Sequence, residues 1–359
     1  MKKINVISNF KKKFKNLFSN DIGIDLGTAN TLVYVRGRGI VLNEPTVVAL
    51  NEKTGRVVAV GSQAQKMIGR TPSHITAIRP LVDGVISDFE ITEEMIAYLI
   101  NKSQENVKKL IGPRVLVGVP SGITNVETRA VRDAVKNSGA KQVHLIEEPM
   151  VAAIGNRLPI KDAIGSVVID IGGGTTDIAV ISLGGIVSSK NLRIAGDRFN
   201  EDIIQYVRNK FKILIGEKTA ERLKIDIGSV LPLDEPLEAT MRGRDLVTGL
   251  PREIKINDTH IRKAISQSLV LLLDGIKEVL EITPPEIVSD ILNRGIFITG
   301  GGAMIKQLDT LISEVVKVPV YIADDPLTSV ARGTGIVLED LLGYKEVLIQ
   351  DEDGIPLKE

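Results

Sequence analysis

At 359 residues, 43% hydrophobic and 25% charged, the chain has the makeup of a soluble globular protein and the length for two domains with cores of their own. A formal net charge of zero gives no global field to draw nucleic acid, and the lack of cysteine excludes iron–sulfur clusters, thiolate zinc sites and cysteine nucleophiles while fitting a reducing cytoplasm. His74, His144 and His260 have no ligand spacing, tryptophan is absent, and no apolar run nears the roughly 18 residues of a membrane span.

The first predicted element is a basic amphipathic helix. Residues 1–20, "MKKINVISNFKKKFKNLFSN", carry six lysines and no acid. Ile7, Phe10, Phe14, Leu17 and Phe18 recur at helical spacing, and Lys11, Lys12, Lys13 and Lys15 fall mostly off that stripe. Such a helix suits an anionic membrane surface, where each lysine contributes about 1 kcal/mol, reduced by salt. A solvated arm, or a helix packed on its own domain, is the competing reading. A secretory signal does not fit, because it needs a continuous apolar stretch of roughly 7–15 residues.

Next comes "DIGIDLGTANTLVYVRG", residues 21–37, in which apolar alternation runs into Asp25, passes a glycine turn at Gly27, Thr28, Ala29 and Asn30, and resumes as a β-rich run. The device recurs in "GSVVIDIGGGTTDIAVISLGG", residues 165–185, with Asp170 before Gly172, Gly173, Gly174, Thr175 and Thr176. A third glycine turn, Gly300-Gly301-Gly302 followed by Ala303, leaves a predicted strand at Ile296 to Thr299 for a helical pattern. Glycine turns let backbone N–H groups converge on an anion. Two such hairpins from related domains can clasp a polyphosphate, and Asp25 and Asp170 at the strand ends can hold Mg²⁺ through its waters. Neither the Walker pattern nor the dinucleotide G-x-G-x-x-G occurs. The last segment, residues 346–359, holds five acids against Lys358 and reads as a solvated tail.

These motifs, with "NEPTVVA", "VPSGITNVE", "IEEPMVAAIG", "AGDRFNEDI", "GEKTAERLKIDIGS" and "DDPLTSVARGTG", run from about residue 20 to about 342. Over that span the chain resembles the MreB family of bacterial actin homologues, within the actin–hexokinase–heat-shock chaperone ATPase superfamily. The resemblance implies an α/β actin-like fold of two domains, each a central mixed sheet with helices and a smaller subdomain, with a nucleotide cleft between them. Domain I then takes residues 20–150 and 327–345, with a small subdomain at about 44–80; domain II takes 151–326, with one at about 196–249. ATP and Mg²⁺ are the implied cofactors. Thr28, Ala29 and Asn30 form the first phosphate loop, and Gly173, Gly174 and Thr175 the second. Gly196 and Asp197 belong to the same site.

By the same resemblance Glu221, Arg222, Leu223 and Lys224, with Gly300 to Ala303, hold the adenosine end. Glu221 would accept ribose hydroxyls, and the Lys224 stem would cover a base with its ammonium wet; the plain alternative is a solvated helix face. Glu127 is the expected water-positioning residue, helped by Thr175 or Thr176. Yet Thr124-x-x-Glu127 is also a capping-box pattern, and the sequence leaves both readings open. Arg79, Asp83 and Asp88 are candidates for the cleft floor, Glu147 and Glu148 read as a strand-to-helix junction, and Leu110 and Ile111 offer a second membrane contact or a plain helix end. The expected function is an ATP-dependent filament protein that maintains cell shape. It would be cytoplasmic, peripheral at the inner face of the membrane, and would hydrolyse ATP slowly to regulate assembly. Expected partners are further copies of itself in paired protofilaments, an anionic membrane, and cell-shape or wall-synthesis proteins. The rivals are a small-molecule kinase of the superfamily, a chaperone ATPase domain, which would continue into a peptide-binding domain, and a filament protein without turnover.

Overall fold

In the computed structural model, the described residues are 20–104 and 112–350. The basic head, Leu110, Ile111 and residues 351–359 lie outside them. Contacts divide the chain into two units, Met1–Arg157 with Thr328–Glu359, and Leu158–Leu327.

The first unit opens with β1 (Ile22–Leu26), β2 (Asn30–Val35) and β3 (Gly39–Pro45). A small lobe follows, built from β4 (Val48–Asn51), β5 (Arg56–Val60), helix α1 (Ser62–Met67) and β6 (Ile75–Ile78). The chain continues through a short hairpin, β7 (Leu81–Val82) and β8 (Val85–Ile86), then α2 (Phe89–Ser103), β9 (Arg114–Val119), α3 (Asn125–Asn137), β10 (Gln142–Glu147) and α4 (Glu148–Gly155). The main sheet has the order β10-β9-β1-β2-β3. Its β1–β2 and β2–β3 pairs are antiparallel, whereas β1–β9 and β9–β10 are parallel.

The second unit comprises β11 (Ser166–Ile171), β12 (Thr176–Ser182), β13 (Gly185–Leu192), α5 (Gly196–Phe211), β14 (Ile213–Leu214), α6 (Glu217–Ile227), β15 (Glu238–Asp245), β16 (Pro251–Asn257), α7 (Asp258–Glu281), α8 (Pro285–Arg294), β17 (Ile296–Thr299), α9 (Leu308–Val316) and β18 (Val320–Ile322). Its sheet, β13-β12-β11-β17-β18, repeats the wiring of the first: two antiparallel pairs on one side of β11, two parallel pairs on the other. A three-stranded sheet, β14-β15-β16, forms its small lobe. The final helix, α10 (Ser329–Glu339), returns to the first unit.

The sequence accounts for this wiring locally. Residues of β11 are buried throughout, the continuous apolar reading of a strand covered on both faces. On α5, Phe199, Ile203 and Val207 fall four apart and are fully buried in the unit's core, each contributing about 1.5–3 kcal/mol. Helices α4 and α10 cross at glycines. A Cβ at Gly155 would collide with the Ser329 carbonyl oxygen, and one at Gly333 with that of Val151.

Helix α7 begins with a capping box in which the Asn257 N–H donates to His260 Nδ1 and the His260 N–H to Asn257 Oδ1, both at 3.2 Å. The acceptor nitrogen requires a neutral imidazole. Burial, then the charges of Lys210 and Lys263, hold the His260 pKa below its usual 6.5, against an opposing pull from Asp258. A lowered histidine pKa gives stability that is full above 6.5 and lost as pH falls through the folded value. The melting temperature is therefore expected to drop between pH 7.5 and pH 5.5, and to drop less in a His260→Gln variant; equal drops would remove His260 as the cause.

Candidate functional site

In the first unit Asp25 is the penultimate residue of β1 and lies beside Gly118 of the parallel β9. This is the carboxyl end of the parallel strands, where open α/β sheets bind ligands. Burial pushes the Asp25 carboxyl up to about 7. The pairing of Leu26 with Thr31 closes a four-residue loop of Gly27, Thr28, Ala29 and Asn30. A Cβ on Gly27 would sit 2.6 Å from the Asn30 carbonyl oxygen, so only glycine fits there. Fully buried Thr46 ties the loop from below: its N–H donates to the Ala29 carbonyl at 2.9 Å and its hydroxyl to that of Gly27 at 2.6 Å. The Gly84 N–H donates to the Thr28 hydroxyl at 3.0 Å, from a β7–β8 turn in which Asp83 and Gly84 both have positive φ. Asp83 is therefore a turn residue. Thr46 and Gly84 are contacts the sequence reading missed; "EPTVV" carries no more than a threonine in a β-rich run.

Glu127 stands at the start of α3, in the loop that leaves β9. The capping box is formed: the Thr124 N–H and hydroxyl donate to Glu127 Oε2 at 2.9 and 2.7 Å, and the Glu127 N–H to the Thr124 hydroxyl at 3.3 Å. Glu147, at the end of neighbouring β10, accepts the Gly122 N–H, and burial raises its pKa. It is the N-cap residue of α4, without a capping side chain, and Glu148 is the first helical residue. Asp88 caps α2, accepting the Ile91 N–H at 3.1 Å.

The second unit repeats the loop. Asp170, nearly buried, is penultimate in β11 and lies beside Thr299 of β17. Ile171 pairs with Thr176 around Gly172, Gly173, Gly174 and Thr175, and the Gly172 N–H donates to the Thr175 carbonyl at 2.9 Å. The first N–H groups of α5 hold this loop: that of Gly196 donates to the Gly172 carbonyl at 3.2 Å and that of Asp197 to Gly173 at 2.8 Å. Gly196 and Asp197 thus support the glycine loop through their backbones. Fully buried Thr176 donates its hydroxyl to the Ile194 carbonyl at 2.6 Å. That bond pins a strand end.

Within "ERLK" the four side chains part ways. Leu223 lies in the core, and Arg222 donates to the Thr240 carbonyl of β15 at 2.9 Å. The Lys224 ammonium is not wet as expected. The residue is 9% exposed, and Nζ bonds the Gly196 carbonyl at 2.8 Å and Glu221 Oε2 at 2.7 Å, because two acceptors replace the water that a snorkelling lysine seeks. Arg222 is exposed, and Glu221 keeps a half-exposed side chain.

The third glycine turn passes into a short 3₁₀ turn at Gly301–Met304 instead of an α-helix. Gly300, at φ +80°, presses against Asp170 and the Ile171 carbonyl, where any Cβ would collide. Ala303 is buried, so it can offer a ligand its backbone alone. The second unit therefore joins Asp170, Gly172 to Thr175, Gly196, Lys224, Glu221 and Gly300 in one chain of contacts. The first joins Asp25, Gly27 to Asn30 and, on the adjoining strand-end loop, Glu127.

These residues fit a magnesium nucleotide. Magnesium takes one or two carboxylates and fills its octahedron with phosphate and water oxygens. Among the described residues no group of three or more acidic, histidine or cysteine side chains could hold a metal ion by itself. Each unit offers a strand-end carboxylate beside a glycine loop, the donor set for a cation that arrives with phosphate.

The two threonines give a direct test. Thr176→Val is expected to lower stability by about 1–3 kcal/mol, read in urea unfolding, because the Ile194 carbonyl loses its buried donor. Thr46→Val is expected to do the same and to weaken nucleotide affinity by releasing the first loop; unchanged stability in both would mean that these bonds do not hold the loops.

Comparison with known proteins bears on the same features. The profile of the MreB/Mbl protein family matches residues 19–346. The chain is 52% identical over 326 residues to the cell shape-determining protein Mbl of Bacillus subtilis (strain 168), covering 90% of this chain and 97% of that one. It is 53% identical over 332 residues to the cell shape-determining protein MreB of Escherichia coli (strain K12), covering 91% and 96%. A crystal structure of MreB5 of Spiroplasma citri bound to ADP superposes with a TM-score of 0.86 at 39% identity, covering 92% of this chain and 98% of that one. The same protein bound to AMPPNP gives 0.85 at 40% identity, covering 91% and 98%. Matched almost end to end in sequence and alike in fold, the chain belongs to the MreB/Mbl family.

Proposed function

We propose that this chain binds a magnesium–adenine nucleotide with both units and uses it to control assembly into filaments that maintain cell shape at a membrane surface. The observation that carries the reading is the repeated hairpin, an acid and a four-residue glycine loop at the carboxyl end of two identically wired sheets. The ADP and AMPPNP held by MreB5 support the choice of nucleotide, and the names of the Mbl and MreB relatives support the role in cell shape.

In this reading Gly27 to Asn30 and Gly172 to Thr175 present backbone N–H groups to the phosphates, and Asp25 and Asp170 hold Mg²⁺ through its waters. Bound magnesium would neutralise phosphate charge. Glu127 orients the attacking water and Thr175 or Thr176 helps to hold it. Hydrolysis is slow and serves assembly, ATP favouring filaments and its loss reshaping them. The filaments are paired protofilaments, and cell-shape or wall-synthesis proteins are the further partners.

The membrane part rests on residues outside the described ones, Ile7, Phe10, Phe14, Leu17 and Phe18 with Lys11, Lys12, Lys13 and Lys15, and on Leu110 and Ile111. The described residues at the edges of both segments meet: Gln104 donates its side-chain amide to the Asn20 carbonyl at 3.0 Å. In this reading many weak anchors add along a filament. No helix among the described residues is long and apolar enough to cross a membrane.

Glu127→Gln retains a capping partner, since glutamine also serves at that position, but loses the carboxylate. Phosphate release is expected to fall roughly 10²-fold with nucleotide affinity unchanged; unchanged release would return Glu127 to its capping role alone. Removing residues 2–19 is expected to abolish pelleting with vesicles rich in anionic phospholipid while polymerisation in ATP persists. Undiminished pelleting would clear the head of a lipid role.

A further inference from the structure

Each main sheet has two edge strands, β10 and β3 in the first unit, β13 and β18 in the second. A bare edge offers unpaired backbone groups to any strand that meets it, and proteins blunt such edges with bulges, proline, lysine or brevity. Three of these four edges carry such a device. The pairing of β3 with β2 shifts register between Val33 and Tyr34, and β3 ends on Pro45. That of β13 with β12 shifts between Val180 and Ile181, and Lys190 stands within the strand. Strand β18 has three residues and follows Pro319 directly. Strand β10, "QVHLIE", has none of these. It pairs with β9 through all six residues without a shift and holds no lysine, proline or glycine. Its Val143-His144-Leu145-Ile146 run is rich in β-formers and low in charge, the makeup of a segment that pairs with its own kind.

What β10 has instead is a cover. After α10 the chain makes a 3₁₀ turn at Lys345–Val347 and comes back to this strand. The Ile349 N–H donates to the Leu145 carbonyl at 2.9 Å, Ile349 packs on the first unit's core, and Leu348 is buried. We propose that residues 345–350 are a guard strap, and that the β10 edge beneath them is a pairing surface whose partner, once it is bared, is β10 of a second copy. Two identical strands brought together antiparallel are related by a two-fold axis, so each supplies the same groups to the other and the contact closes as a dimer. A chain that gathers copies of itself presents this edge at high local concentration, and the strap keeps it from competing with the contacts that build a filament. The inference goes beyond the function proposed above and needs no nucleotide.

The test uses the full chain without nucleotide. Ile349→Pro removes the N–H that reaches Leu145, and Leu348→Asp loosens the strap through its buried side chain and leaves the backbone donor in place. Sedimentation velocity is expected to show self-association about tenfold tighter in each variant than in the wild type, the gain of a few strand hydrogen bonds. The chain has no cysteine, so a spin label at Gln142→Cys, on the exposed first residue of β10, reports on the pair. Two strands of this length paired antiparallel keep their labels within roughly 30 Å, and a dipolar distance in that range is expected in the dimers of both variants. Association no tighter than that of the wild type would overturn the guard. Association without that distance, ordered or misfolded, would overturn the pairing surface.

Discussion

A loop that is to hold a polyanion must keep its own carbonyl oxygens away from it. Glycine provides the room for the backbone to turn, but it does not decide which way the peptide units face. That is decided by donors placed behind the loop. In the first unit they are the N–H and hydroxyl of Thr46, which draw in the carbonyls of Ala29 and Gly27. In the second they are the first N–H groups of α5, which draw in the carbonyls of Gly172 and Gly173. One threonine and one helix terminus thus perform the same task on two copies of the same hairpin. These N–H groups at the start of α5 are spent on the loop.

The duplication extends beyond the hairpins. Glu147-Glu148-Pro149 leaves β10 for α4, and Asp324-Asp325-Pro326 leaves β18 shortly before α10. The two helices derived from this pattern pack on each other inside the first unit, at glycines that permit backbone contact. Both passages of the chain out of that unit, after Arg157 and before Thr328, therefore lie at the ends of one tightly crossed pair. Neither main sheet has its strands interrupted by a passage.

What could be read in the sequence was whatever repeats or alternates. The hairpins announced themselves because an acid, a glycine and flanking β-branched runs recur at the same offsets, and strand β17 matches the predicted run from Ile296 to Thr299. The supports were not legible. Thr46 sits in a β-rich segment, a position no different in pattern from many that do nothing. The ammonium of Lys224 was expected in water because lysine usually reaches it; the Gly196 carbonyl that captures it lies 28 residues away, and sequence spacing does not reveal such a neighbour. The tie from the Thr176 hydroxyl to the Ile194 carbonyl, 18 residues away, was hidden for the same reason.

Glu127 shows how a structural bond and a chemical role can share one side chain. Both Thr124 donors meet the same oxygen, Oε2. A carboxylate offers about four lone-pair sites on its two oxygens. A capping interaction contributes about 1 kcal/mol to a helix start, which is enough to favour one rotamer of the side chain. What glutamine cannot supply is negative charge, and the start of a helix favours that charge through its dipole. The cap and the dipole account for where Glu127 sits and points, and the proposed base would use the same carboxylate.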